Sequence, residues 1–269
     1  MQHFFEFIGL ITLIVGSILY SKEVNTVSVS ADNLRQEIEN KANLYKIEAT
    51  DAIINNNTII LGKNGRKVNI NKSYYNMKEL GIFAENKLKF DTIYIKNRLI
   101  YNKDKYIISG NKIDRNVTFI FNYNTNINNI YQILKKHNIK ASFVTNSNYL
   151  ENKNIKKIIL TNNIIINNSQ KKYDFIWFKK TVMKMGQKQN YCLNATNKQY
   201  SYCTLTQSYI LKADLIKNNY YTYIKNNLEN GKIFYFNVDT KLIYELDTII
   251  NYINNKGYKI IPLDKLLIE

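Results

Sequence analysis

Few residues of this 269-residue chain are of the types that build a reactive centre. The only histidines are His3 and His137, and the only cysteines are Cys192 and Cys203. Two cysteines eleven apart, with no histidine or further cysteine at ligand spacing, argue against a zinc site. They are either a disulfide outside the cytoplasm or two free thiols inside it. His137 stands near the carboxyl end of a predicted helix, where an imidazole complements the helix dipole, a structural role. Asp214, Asp239 and Glu245 are single carboxylates without a partner at fixed spacing, so no acid–base pair is visible. Asp239 just follows a predicted strand, at the end where α/β sites form, but a strand-exit Asp is commonly the cap of the next helix.

Composition narrows the classes further. Hydrophobic residues make up 45% and aromatics 13%, enough to build a core and to exclude a disordered chain. The formal net charge of +17 suggests anionic partners. Only Arg35, Arg66, Arg98 and Arg115 are arginines, however, and the lysines are spread from end to end in a chain rich in Asn, Ile and Tyr. A nucleic-acid reader concentrates its charge and favours arginine, so no specific nucleic-acid binding is expected.

The elements available to position these groups fall into four stretches. Residues 4–20 are apolar apart from Glu6 and as a helix reach roughly 26 Å, which predicts a retained transmembrane anchor over 1–22. No basic residue precedes the run and no small-x-small cleavage site follows it. Lys22 after the run slightly favours a cytoplasmic domain, although long domains cross largely regardless of charge. Residues 23–50 read as a helical stalk, with Leu34, Ile38 and Tyr45 on one face. Residues 51–112 read as a small β-rich lead-in module, with strands Thr58–Leu61, Val68–Ile70 and Thr92–Ile95, a hairpin-type turn at Asn64-Gly65, and a helix capped by Ser73 and ending at Gly81.

From residue 113 to 269, strands and helices alternate. Strands are expected at Val117–Phe121, Lys140–Val144, Ile164–Ile166, Phe175–Phe178, Lys232–Phe236 and Gly257–Ile261. Helices are expected at Ile127–His137, near 154–160, and at Tyr244–Asn255. Continuous apolar strands between amphipathic helices indicate a parallel sheet covered on both faces, an α/β architecture that fits a barrel or an open sheet.

Two of these stretches carry a family resemblance. Val117-Thr-Phe-Ile-Phe-Asn-Tyr-Asn124, followed by Ile133-Leu-Lys-Lys-His-Asn-Ile-Lys-Ala-Ser-Phe143, resembles the opening of the polysaccharide deacetylases, carbohydrate esterase family four. There a strand ending in Thr-Phe-Asp-Asp-Gly precedes a similar helix and strand. Gly231-Lys-Ile-Phe-Tyr-Phe-Asn237 resembles the family's Gly-x-Ile-x-Leu-x-His strand, and Gly257-Tyr-Lys-Ile-Ile-Pro-Leu-Asp-Lys-Leu-Leu267 its final strand and helix. The resemblance covers about residues 113–268 and implies a distorted TIM-like (β/α) barrel with fewer than eight regular strands.

The same resemblance implies where catalysis would sit. In the family an Asp is the general base, a second Asp and two histidines hold a divalent metal such as zinc, and a late histidine protonates the leaving group. Here Asn122 takes the place of the base and Tyr123 that of the metal carboxylate. Asn168 and Lys172 stand for the metal histidines, and Asn237 for the acid. The family's Arg-Pro-Pro-Tyr loop falls near Tyr191-Cys-Leu-Asn194 and lacks its arginine and prolines. An amide cannot act as a base, and a lysine opposes a cation. The expectation is therefore no metal cofactor and a catalytically inactive barrel.

Amides and a phenol do supply hydrogen bonds and a stacking face for sugars. Asn122, Tyr123, Asn124, Asn168 and Asn237 are thus candidates for retained binding of a cell-wall glycan, against the plainer view that Asn is abundant everywhere. The resulting expectation is a single-pass membrane protein of the cell envelope, its barrel extracytoplasmic, acting by glycan binding or scaffolding. The alternatives are an active peptidoglycan or chitin-type deacetylase using non-standard residues, and a lysine-rich module held on anionic polymer or membrane.

Overall fold

The computed structural model describes residues 2–124, 126–150, 158, 161 and 163–269, with the side chains of 2–10 and 22–32 outside that set. The described chain forms two compact units, Met1–Ala49 with Asn64–Tyr94, and Thr50–Lys63 with Ile95–Glu269. In chain order the elements are α1 (Gln2–Ala42), β1 (Ile53–Asn55), β2 (Thr58–Ile60), β3 (Gly65–Val68), α2 (Ile70–Met77), β4 (Phe90–Ile93), β5 (Tyr106–Ser109), β6 (Asn116–Asn122) and α3 (Ile127–Lys136). They continue as β7 (Ser142–Thr145), β8 (Ile164–Asn167), α4 (Lys172–Lys184), β9 (Tyr191–Leu193), α5 (Asn197–Leu205), β10 (Tyr209–Leu211), β11 (Leu215–Ile216), α6 (Tyr220–Asn227), β12 (Ile233–Phe236), α7 (Thr240–Asn255), β13 (Lys259–Ile260) and α8 (Leu263–Leu266).

The smaller unit is built on α1, which runs unbroken from the stretch expected to be anchor into that expected to be stalk but ends at Ala42, the residues up to 50 being non-helical apart from the short turn Asn43–Tyr45. Its residues Leu34 and Ile38 pack with Val68, Met77 and Leu88, and Tyr45 joins them from the short turn beyond the helix. By contrast Leu13, Ile14, Val15, Ile18 and Leu19 are exposed. Among the described residues, no helix is long and apolar enough to cross a membrane.

Three local expectations fail in this unit, the first being the strand Val68–Ile70, because β3 ends at Val68 and Ile70 already opens α2. The helix near Ser73 starts earlier, because Asn69 caps it by accepting from the Lys72 amide at 2.8 Å. Ser73 is buried inside that helix, and its hydroxyl accepts from the Lys89 amide instead. Asn64-Gly65 is not a hairpin turn; Gly65 opens β3 where the backbone at Ile47 comes so close that a side chain would meet it. The hairpin of this region joins β1 to β2 in the larger unit, and Asn56 turns it at φ 50°.

The larger unit is a mixed α/β fold around one curled sheet. Its strand order is β1-β2-β5-β10-β9-β8-β7-β6-β12-β11, with β13 added beside β6, and every pairing except β1 with β2 is parallel. The residues expected to form a separate lead-in module are thus shared out. β1, β2 and β5 extend the sheet, whereas β3, α2 and β4 belong to the smaller unit.

On the helix-covered face of the sheet, Phe119, Phe121, Phe143, Phe234 and Phe236 meet Ile130 and Leu134 of α3 and Leu246, Ile249, Ile250 and Ile253 of α7. The alternation that puts odd residues of β6 on this face puts Thr118, Ile120 and Asn122 on the other. Gly231, just before β12, has φ 76°, and a Cβ there would lie 2.5 Å from the Gly110 carbonyl oxygen, so only glycine fits.

One expected strand is a helix. Phe175–Phe178 lies inside α4, whose buried side is Phe175, Phe178 and Val182, spaced at helical intervals. The helix expected near 154–160 lies outside the described residues apart from Ile158, which is buried.

Cys192 of β9 and Cys203 of α5 are joined in a disulfide, their Cα atoms 6.3 Å apart, which resolves the choice left open by their spacing. Both are buried with Phe175 and Ile210. Replacing the pair by alanine is expected to cost about 3 kcal/mol, the loop-closure value for a bridge over so short a span. Urea denaturation of the double variant reads this directly. An unchanged midpoint would mean that the bridge does not constrain the unfolded chain.

Candidate functional site

Parallel strands deliver their exit residues to one rim of the sheet, and four of the five implied positions arrive there. Asn122 is the last residue of β6, opposite Val144 of β7. The Tyr123 amide donates to the Val144 carbonyl at 3.0 Å. Asn168 directly follows β8 and donates its amide to Thr145 O at 2.7 Å. Asn237 directly follows β12 and donates to Ile216 O at 2.9 Å. Because β8, β7, β6 and β12 are consecutive neighbours, these residues share the carboxyl-terminal edge of one stretch of sheet. Lys172, the fifth, is the exposed first residue of α4.

The chemistry of this rim is amide and phenol. Asn124 is committed to structure: its Nδ2 donates to Val238 O and its Oδ1 accepts from the Asn126 amide at 2.9 Å, tying the exit of β6 to that of β12. The Tyr123 ring lies 5.0 Å from that of Tyr149. Burial, then Tyr149, pushes its hydroxyl above the ordinary phenol value, so it stays neutral at any working pH. A divalent ion of the zinc kind needs imidazole, thiolate or carboxylate donors. Two amides, a neutral phenol and an ammonium do not fit it. Among the described residues, no three His, Cys, Asp or Glu side chains gather as a ligand set.

The remaining candidates have structural work. Asp239 caps α7, accepting from the Leu242 amide at 2.8 Å, as expected of a strand-exit Asp. Its other oxygen accepts from the Tyr220 hydroxyl at 2.7 Å, and burial together with this bond raises the Tyr220 phenol. Glu245 accepts from the Tyr221 amide at 3.0 Å. His137 is the residue that closes α3, and its ring bonds Asp247 of α7; that bond, with Lys136 beside it, holds the Asp247 carboxyl below its usual range. Asp214 is exposed and lines two open cavities of about 380 and 490 Å³ near the ends of β10 and β11.

Sequence reasoning missed one group at this rim. Ser147, Asn148, Tyr173, Asp174 and Trp177 line a cleft of about 290 Å³ between the exits of β7 and β8. A helical reading of 172–184 would have placed Tyr173 and Trp177 on one face; the strand reading hid them.

No family model matches the chain. The uncharacterized protein YlxY of Bacillus subtilis is 33% identical over 135 residues, which is 49% of this chain and 42% of that protein. The chain thus matches less than half the length of this relative. Among solved structures, a carbohydrate esterase family 4 pseudoenzyme of Bacillus anthracis aligns with TM-score 0.64 at 21% identity, covering 87% of this chain and 94% of its own. A mutant of the same pseudoenzyme with restored enzymatic activity aligns equally well over 97% of its length. A peptidoglycan N-acetylglucosamine deacetylase aligns with TM-score 0.52 at 17% identity, over 60% of this chain and 92% of that one.

Proposed function

We infer that this chain, which has the fold of the carbohydrate esterase family 4 proteins, is a degenerate member of that family, an inactive polysaccharide deacetylase-like protein that binds a cell-wall glycan. The observation that carries this reading is the rim itself. Asn122, Tyr123, Asn168 and Asn237 emerge from strands β6, β8 and β12 where a hydrolase would place a base, metal ligands and an acid. None can take a proton near neutral pH or hold a divalent cation. Each can still bond a sugar hydroxyl, and one neighbour of this fold is a peptidoglycan N-acetylglucosamine deacetylase.

The distorted barrel, the membrane anchor and the extracytoplasmic placement belong to the same proposal. A buried disulfide in a chain with no free cysteine supports an oxidising compartment. The exposed apolar side chains at 11–20 support anchoring by α1, since an apolar helix surface without protein cover is matched by lipid tails.

Isothermal titration of the full chain in detergent with chitohexaose or peptidoglycan fragments tests the reading. Saturable heat with a dissociation constant between micromolar and millimolar is expected. Absence of heat at millimolar ligand would leave the rim asparagines as compositional background and end the glycan reading.

A further inference from the structure

The cleft beside the rim is lined by two aromatic side chains, Tyr173 and Trp177, of which Trp177 is partly buried against the core of the larger unit. Tyr173 and Trp177, four residues apart, share one face of α4, and Asp174 lies one turn from Trp177. The opposite face of the helix is sealed by Phe175, Phe178 and Val182. Across the gap stand Ser147 and Asn148, held by bonds of the Ser147 amide to Ser169 Oγ at 3.2 Å and of the Asn148 amide to Asn146 Oδ1 at 3.0 Å. The phenol of Tyr173, the carboxylate of Asp174, the indole N–H of Trp177 and the side-chain amide of Asn148 bond to no other described residue. Tyr173 is 75% exposed, so its ring is open to a ligand from solvent.

A pair of aromatic faces with uncommitted donors and acceptors around it complements a pyranose ring, whose C–H face stacks while its equatorial hydroxyls are bonded at the edges. The Asp174 carboxylate disfavours an acidic sugar. The neighbouring Lys171 and Lys172, both exposed, disfavour a quaternary ammonium, the other ligand that aromatic pairs attract. The volume of about 290 Å³ is at the small end of ligand pockets and suits one unit of a longer chain.

We propose that the cleft of Ser147, Asn148, Tyr173, Asp174 and Trp177 is a saccharide-stacking subsite that grips a neutral pyranose of a β-linked glycan. It rests on the glycan reading of the rim but places the grip beside the old catalytic positions. A protein without turnover thereby holds its ligand on side chains that the lost chemistry never used.

Trp177 is the only tryptophan of the chain, so its emission reports on this cleft alone. Titrating the full chain with chitohexaose is expected to shift or quench that emission saturably, with the midpoint found by calorimetry. Tyr173→Ala is expected to weaken binding roughly three- to tenfold, the size of one aromatic stacking contact. Cellohexaose in a parallel titration separates ring stacking alone, where both sugars act, from added recognition of the acetamide, where only chitohexaose does; either supports the subsite. Heat without any change in emission, abolished by Asn237→Ala and untouched by Tyr173→Ala, overturns the subsite and leaves the rim reading standing. A response lost in Tyr173→Ala but kept in Asn122→Ala/Asn237→Ala upholds the subsite and ends the rim reading. An emission change with choline and none with sugar overturns the proposal, and silence in both measurements ends both readings.

Discussion

The variant Asn122→Asp/Tyr123→Asp/Asn168→His/Lys172→His is expected to retain one zinc ion per chain, where the unmodified protein retains none. The four changes supply two carboxylates and two imidazoles, three of them at positions that the sheet already brings to one rim and the fourth at the exposed start of α4. They also remove an ammonium whose charge opposes a cation. Adding Asn237→His is expected to bring measurable acetate release from chitooligosaccharides, since the carboxylate introduced at position 122 can then take a proton from a water whose pKa the ion has lowered. Omitting only the Asn122→Asp change should cost roughly 10²- to 10⁴-fold in rate, the usual worth of a general base. A mutant of the family 4 pseudoenzyme that shares this fold has restored enzymatic activity. Metal analysis after dialysis and an acetate assay read the two steps separately. A folded variant that holds no zinc would mean that these residues do not converge, and the proposed origin of the rim would fall.

Phe121→Ala is expected to destabilise the larger unit by about 4 kcal/mol. Phe121 is fully buried, its ring centroid 5.3 Å from that of Phe236, 5.8 Å from Phe143 and 6.0 Å from Phe119. No neighbour can fill the gap without leaving its own contact, so the cavity adds to the lost transfer energy. Against a typical domain stability of about 5–15 kcal/mol the change is large. Phe121 also precedes Asn122, which gives the packing a functional consequence: the strand that orders the rim is fixed by the ring on its other face. Chemical denaturation of Phe121→Ala should show the loss, with Phe121→Leu in between. A loss below about 1 kcal/mol would show that the aromatic cluster repacks.

The parallel core was legible because its strands are continuous apolar runs. Val117–Phe121 and Ile233–Phe236 read the same way in sequence and in space. Helix α7 was legible too, since Leu246, Ile249, Ile250 and Ile253 recur at helical spacing and all are buried. What misled was brevity. Phe175-Ile-Trp-Phe178 is a four-residue apolar block, equally good for a strand, and only the continuation to Val182 shows the helical period. The cost of that error was the cleft, because its two aromatic side chains share a face only on a helix.

Asparagine misled in another way. Asn56, Asn138, Asn194 and Asn219 all sit at positive φ, where asparagine is among the few tolerated non-glycine residues. Part of what looked like background composition is turn chemistry. The rim asparagines are of a different kind, set at strand exits rather than in left-handed turns, and nothing in residue type alone separates the two groups. The disulfide was similarly undecidable from spacing, and became visible only when β9 and α5 set the two Cα atoms 6.3 Å apart.

The way the sheet recruits its first strands matters for anyone trimming this protein. Family likeness in the sequence begins near residue 113, and a fragment cut there would lose β1, β2 and β5. β10 would then present its bare flank, Tyr209–Leu211, to solvent, an invitation to intermolecular strand pairing. A soluble excised piece must instead open near Thr50 and span the excursion from Asn64 to Tyr94 with a short artificial tether.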